Sequence, residues 1–238
     1  MGVKIWERKG TYCYLAVGLL TLLFPISMAV TAYSGQFEDA TAAYERGDHA
    51  TAFRLMKPLA EKGDAKAQHN LGVMYDYGRG VPQDYTKALK WYRMAAEHGI
   101  PDAQHNLGLM YQKAQGVPQN YAEAAKWYRR AAEQGMADSQ VNLGMMYYHG
   151  QGVSRDYVLA HMWLNLAASQ YPASVRENLY DAVHYRDIVN SLMTPAQIAE
   201  AQRLAREWKP KKEGKYWKSR SENASLKRGV RDGDVDHE

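Results

Sequence analysis

The chain has 238 residues, 46% of them hydrophobic, a formal net charge of +4 and a single cysteine. That length allows one or two globular domains, and one cysteine, Cys13 in an N-terminal apolar run, excludes a disulfide framework or a thiolate metal cluster. The charge sits at the ends, +2 over 1–32, +7 over 209–231 and −4 over the last seven residues, leaving about −1 for 33–208, so the high pI is no argument that the body binds nucleic acid.

Residues 1–32 have the pattern of a targeting segment. Lys4, Arg8 and Lys9 precede the uncharged run Tyr12–Phe24, which Pro25 closes, and Val30 and Ala32 are the small residues a signal peptidase requires. Cleavage after Ala32, or after Ala29, is one reading. An uncleaved anchor is the other, because Gly10 to Gln36 carries no charge and a span needs roughly 20 apolar residues. Both place the rest of the chain outside the inner membrane, since the basic residues stay inside. The body is therefore expected to be periplasmic or secreted, or anchored to the inner membrane from the periplasmic side.

Residues 33–63 follow as a helical pair, Phe37–Arg46 and Asp48–Gly63, with Pro58 expected to kink the second helix by removing a backbone donor. Three copies of a longer unit come next, over 64–99, 100–135 and 136–171. Residues 68–99 (QHNLGVMYDYGRGVPQDYTKALKWYRMAAEHG) and 104–135 (QHNLGLMYQKAQGVPQNYAEAAKWYRRAAEQG) are identical at 21 of 32 positions, and the third copy keeps Gln140, Asn142, Leu143, Gly144, Tyr147, Gly152, Tyr157 and Trp163. In each, an apolar stripe at helical spacing (Ala67, Leu71, Met74, Tyr75) is stopped by Gly78, Gly80 and Pro82. Asp84 caps a second helix that buries Ala88, Trp91, Tyr92, Ala95 and Ala96, and Asn120 with Glu123 repeats the cap as a capping pair. Gly72, Gly108 and Gly144 fall inside the first helices, where glycine costs about 1 kcal/mol, which predicts a close helix crossing. Trp91, Trp127 and Trp163 are expected to anchor the core, each indole N–H bonded to backbone.

The string A-x-A-Q-x-N-L-G-x-M-Y, a G-x-G-V-P loop and A-x-x-W-Y-x-x-A-A-E-x-G resembles the Sel-1-like repeat, a relative of the tetratricopeptide repeat with a longer inter-helix loop. The resemblance is dense over three consecutive copies, about 64–171. It implies an all-α, right-handed α-solenoid of antiparallel helix pairs, about four units with a C-terminal capping pair, in which each unit buries its apolar face on its neighbours. It also implies that the first helices line a concave side that holds a protein or peptide.

The capping pair is expected over 172–208. Its first helix carries an apolar stripe at Val175, Leu179, Ala182, Val183, Val189 and Leu192; its second is launched by the capping box Thr194-Pro195-Ala196-Gln197 and presents Ile198, Ala201, Leu204, Ala205 and Trp208. Residues 209–238, basic and then acidic, lack apolar periodicity and are expected to be disordered.

No catalytic motif is present. Gly78-Arg79-Gly80 follows a helix and lacks a third glycine, so it is no dinucleotide fingerprint. The chain is therefore expected not to be an enzyme and to need no cofactor and no metal; His69 and His105 recur one unit apart, too far to share an ion.

Function is sought where the copies differ. Opposite Leu71 on the helical wheel lie positions occupied in turn by His69, His105 and Val141; by Val73, Leu109 and Met145; by Asp76, Gln112 and Tyr148; and, at the edge, by Tyr77, Lys113 and His149. A face that varies while the scaffold repeats, and carries apolar and aromatic groups, is the expected partner-binding surface. The outer faces of the second helices are charged, with Arg93–Glu97 and Arg129–Glu133 as expected surface pairs. The expected function is a non-enzymatic adaptor of a bacterial cell envelope. Two alternatives stand beside it: an electrostatic binder of anionic membrane, or of nucleic acid, through Lys209–Arg231, and an envelope enzyme or β-lactam binder, like cysteine-rich members of the family whose disulfides are absent here.

Overall fold

The computed structural model describes residues 35–171 and 176–211. The N-terminal apolar run, Val175 and the tail from 212 onward lie outside the described residues. A first helix, α1, spans 35–45. It is followed by α2 (His49–Glu61), α3 (Ala65–Tyr77), α4 (Tyr85–Glu97), α5 (Pro101–Lys113), α6 (Tyr121–Glu133), α7 (Ala137–His149), α8 (Tyr157–Gln170), α9 (Arg176–Ser191) and α10 (Pro195–Glu207). From α2 to α8 each helix packs on the one before and the one after, and α9 and α10 both close over α8. The architecture is an all-α solenoid.

Helix starts follow the side chains. Asp48, Asp64, Asp84, Asn120 and Asp156 each accept a bond from the backbone N–H three residues on, a cap worth about 0.5–2 kcal/mol. The Thr194–Gln197 box closes in both directions. At Asn120 only half of the expected pair forms, because the Glu123 carboxylate turns to Lys126 at 3.4 Å. Helix α2 continues through Pro58 to Glu61.

The core repeats with the sequence. Leu71, Leu107 and Leu143 with Met74, Met110 and Met146 are buried. Of the expected tryptophan anchors Trp127 and Trp163 are buried in the core, as expected, but in each copy the residue after the tryptophan lies deeper. Tyr92 and Tyr128 are fully buried, with Leu164 in the third copy, whereas Trp127 and Trp163 each keep 6% exposure and Trp91 is half-buried. Trp127 Nε1 finds no hydrogen-bond partner among the described residues; Arg130 lies over its ring at 4.8 Å. The mid-helix glycines explain why the residue after the tryptophan goes deeper. A Cβ at Gly108 would lie 2.7 Å from the Tyr128 ring and one at Gly144 2.9 Å from the Leu164 side chain, so these glycines seat a tyrosine ring of the partner helix in the first two copies and a leucine in the third. The second loop glycine has another task. A Cβ at Gly116 would lie 2.6 Å from the Tyr85 carbonyl oxygen, and Gly80 and Gly152 press in the same way on His49 and Tyr121. Each loop thus rests on the start of the preceding unit's second helix.

A row of glutamines ties the units together. Gln68, Gln104 and Gln140 donate to the carbonyls of Ala60, Ala96 and Ala132, each at 3.1 Å. Gln104 and Gln140 also accept from Gln134 (2.8 Å) and Gln170 (2.7 Å). On the outer face, Arg93 and Arg129 do not pair with Glu97 and Glu133. They reach across to the hydroxyls of Tyr111 (2.7 Å) and Tyr147 (2.6 Å) in the next first helix.

In the cap, α9 buries Ala182 and Val189 and packs Tyr185 on the core, Met193 joins it from the turn that follows, and Leu192 is 50% exposed. The inward stripe therefore runs through Tyr185 rather than to Leu192. Trp208 meets Trp163 edge to face at 6.3 Å. Lys211 returns to the end of α6, donating its N–H to the Glu133 carbonyl (2.7 Å) and its ammonium to the Glu133 carboxylate (3.0 Å).

Candidate functional site

The first helices α3, α5 and α7 lie side by side, and four of the twelve varied residues are drawn into the seams between them or into their own unit. Asn106 Nδ2 approaches His69 Nε2 at 3.3 Å, and His105 Nδ1 lies 2.8 Å from Ser139 Oγ. Asp76 accepts from the Tyr92 hydroxyl (3.1 Å) and Gln112 from the Tyr128 hydroxyl (2.6 Å). Burial pushes both histidines below the ordinary imidazole value, against the opposing charges of Asp102 on His69 and of Asp138 and Asp102 on His105. Burial raises the Asp76 carboxyl, with the Tyr92 hydroxyl and Lys113 working the other way, and it raises the phenols of Tyr92 and Tyr128. These four varied residues hold helices together as well as facing outward.

The remaining eight divide. Tyr77 is 65% exposed and Lys113 and His149 are also exposed. Val73 packs partly on the middle core, and Leu109, Val141 and Tyr148 partly on the C-terminal one. Tyr148 stands 6.1 Å from the Tyr157 ring. Leu109 and Tyr148 therefore support the core, contrary to a purely outward face, and Met145 is half-buried.

Between α3 and α5 the surface opens into a shallow pocket of about 230 Å³ that brings together Asp76, Tyr77, Leu109 and Lys113. Its floor is organised by Gln83, which donates to the Asp76 carbonyl (2.7 Å) and the Tyr85 hydroxyl (3.0 Å). Gln119 repeats both bonds one unit on. Arg79 is held between the rings of Tyr44 (5.6 Å) and Tyr77 (5.2 Å) and bonds the Tyr44 hydroxyl. The pocket thus presents an aromatic face, an aliphatic wall, one carboxylate and one ammonium.

Asn106 also lines it and was not among the expected positions. Asn70, Asn106 and Asn142 recur in all three copies, are half-buried, and share a stripe with positions 73 and 77. The available signal was a polar residue repeated on an incompletely buried face. Among the described residues no group of three His, Cys, Asp or Glu side chains is arranged to hold a metal ion, and no helix is long and apolar enough to cross a membrane.

The family model described as Sel1 repeat matches four times, over 35–64, 65–100, 101–136 and 137–171. The mouse protein named DAP3-binding cell death enhancer 1 is 36% identical over 75 residues, which is 31% of this chain and 14% of that protein. The ERAD-associated E3 ubiquitin-protein ligase component HRD3A of Arabidopsis thaliana is 34% identical over 70 residues, 29% of this chain and 10% of that one. The chain thus matches only a small part of these relatives. Among solved structures, a protective antigen of uropathogenic Escherichia coli displaying an SLR fold superposes with a TM-score of 0.65 at 31% identity, covering 87% of this chain and 42% of the antigen. A Sel1 repeat protein from Oxalobacter formigenes gives 0.57 at 29% identity, with 71% and 72% covered.

Proposed function

Because the chain belongs to the Sel1 repeat family, a scaffold of the protein-interaction type, we propose that it is a non-enzymatic adaptor that is exported to the cell envelope and holds a protein segment on the layer of first helices. The observation that carries this reading is the pocket between α3 and α5. There Tyr77, an aromatic side chain 65% exposed within the repeats, stands beside Leu109, Asp76 and Lys113. Exposed aromatic groups flanked by polar ones are where interface energy concentrates. The names of two relatives, one DAP3-binding and one a component of a ligase, agree with a partner-holding role. The basic N-terminus with its apolar run supports export.

Two measurements test the two halves. Alkaline phosphatase fused after Gly63 is active if the chain is exported; a stable but inactive fusion overturns that half. A photo-crosslinking residue placed at Tyr77 captures a discrete partner from envelope extract, while the same residue at Lys57, on α2 and exposed, captures none. Equal capture at both positions overturns the assignment of the surface.

A further inference from the structure

The cap holds a second pocket, of about 240 Å³, where α8, α9 and α10 meet. His161 and Asn165 enter it from α8, Arg186, Asp187 and Asn190 from α9, and Gln202 from α10. Its position in the repeat makes it conspicuous. Residues 36 and 72 before His161 are Ala125 and Leu89, so the scaffold is satisfied by an aliphatic group there. In the third copy that place is taken by an imidazole, 4% exposed, whose Nδ1 has no hydrogen-bond partner among the described residues. Burying a polar nitrogen without a partner is costly, and packing alone gives no reason for it.

The chemistry of the other groups favours an anion of a particular shape. Arg186 donates from Nε (3.0 Å) and Nη2 (2.8 Å) to one oxygen, Oδ1 of Asp187. That uses the side edge of the guanidinium and leaves the terminal edge, Nη1 with the second Nη2 proton, whose parallel N–H pair matches the two oxygens of a carboxylate. Asn165, Asn190 and Gln202 add amide donors. Asp187 already balances the arginine charge, so the pocket carries no surplus for a dianion such as sulfate. We propose that this pocket binds a carboxylate group, held end-on by Arg186, with amide bonds from Asn165, Asn190 and Gln202 and with His161 at its floor. Burial and the neighbouring Arg186 charge hold His161 below the ordinary imidazole value, with Asp187 opposing. A bound anion opposes the arginine's effect and raises it.

The test is an NMR titration of the isotope-labelled full chain with sodium acetate, read at the His161 ring, with sodium chloride and sodium sulfate at matched ionic strength as controls. Acetate is expected to shift the His161 resonances saturably, at roughly millimolar to tens of millimolar concentration, and to raise the midpoint of the His161 pH titration. Chloride and sulfate leave both unchanged. Arg186→Lys keeps the charge but loses the fork, and weakens acetate about tenfold. Asn190→Asp places a carboxylate at the rim and abolishes the response without loss of helix content, which keeps the test decisive should Arg186→Lys unfold. An equal response to chloride or sulfate, or an acetate response indifferent to both substitutions, overturns the proposal. Two blocked peptides identify the source: one has its only carboxylate on a glutamate side chain, the other at its C-terminus. The one that displaces acetate supplies the group, and displacement by neither assigns it to a free small acid.

Discussion

The first junction in the stack and the two that follow are made from the same repeat, yet one is left open. Gln104 bonds both Ala96 and Gln134, and Gln140 bonds both Ala132 and Gln170. Gln68 bonds Ala60, but its Oε1 is buried with no partner. Residue 98, which corresponds to Gln134 and Gln170, is an exposed histidine. A solenoid has no long-range contacts to share such a loss, so each junction is as strong as its own bonds. The comparison teaches that the glutamine row, and not only the apolar stripe, sets the coupling between neighbours.

The largest break in that comparison comes from removing a complete rung. Gln104→Ala loses at least the bonds to Ala96 and Gln134 and strands both partners, at a cost of roughly 3 kcal/mol. Gln68→Ala loses one bond and is expected to cost about 1 kcal/mol less. Denaturant unfolding of both variants measures the difference, and equal costs would show that the row carries no coupling.

Acid acts on the seams between first helices. The folded pKa values of His69 and His105 lie below the ordinary 6.5, so protons bind the unfolded chain more readily. Their contribution is full above about pH 6.5 and is lost as pH falls from there toward the folded values. The melting temperature is expected to drop between pH 7 and pH 5, and the slope to flatten in the His69→Gln, His105→Gln variant. His161, shifted the same way, contributes to the slope that remains. A slope unchanged by the double substitution would place the acid sensitivity elsewhere.

Closing the open junction tests the comparison from the other side. His98→Gln supplies the missing donor to Gln68 and is expected to stabilise by about 1 kcal/mol, read as a higher denaturation midpoint. The same logic applies to the left-handed residue ending each first helix. Gly78 and Gly150 occupy it in two copies, but α5 ends on Ala114 at φ 56°. Ala114→Gly relieves that strain, with an expected gain of roughly 0.5–1 kcal/mol. A loss in either variant would contradict the repeat-by-repeat reading.

Local chemistry made most of the fold legible in the sequence. The 36-residue period, the Asp84 and Thr194 caps and the glycine stops all depend on residues within a few positions of each other. Features that depend on a neighbouring helix were not legible. Trp127 and Tyr128 are adjacent aromatics about 100° apart, and only the glycine-made seat opposite decides which is the deeper. A wheel drawn for one helix places His69 and Asp76 outward. The next first helix covers His69, and the unit's own Tyr92 binds Asp76. Asn106 repeats in every copy, as a scaffold residue does, yet its half-buried place beside Leu109 marks it as surface. The apolar stripe of α9 does not extend to Leu192, because the turn that ends the helix redirects the chain.

Tyr77 offers the most direct test of the adaptor account, because it is the exposed aromatic member of the pocket and, among the described residues, packs on no core cluster. The decisive measurement is the affinity of Tyr77→Ala for the partner crosslinked at that position, compared with a chain lacking 212–238. The account predicts a melting temperature within about 0.5 kcal/mol equivalent of the parent and an affinity at least tenfold weaker for Tyr77→Ala, with the truncated chain binding normally. Full affinity in Tyr77→Ala and its loss on truncation would contradict the account and move the working surface to the tail.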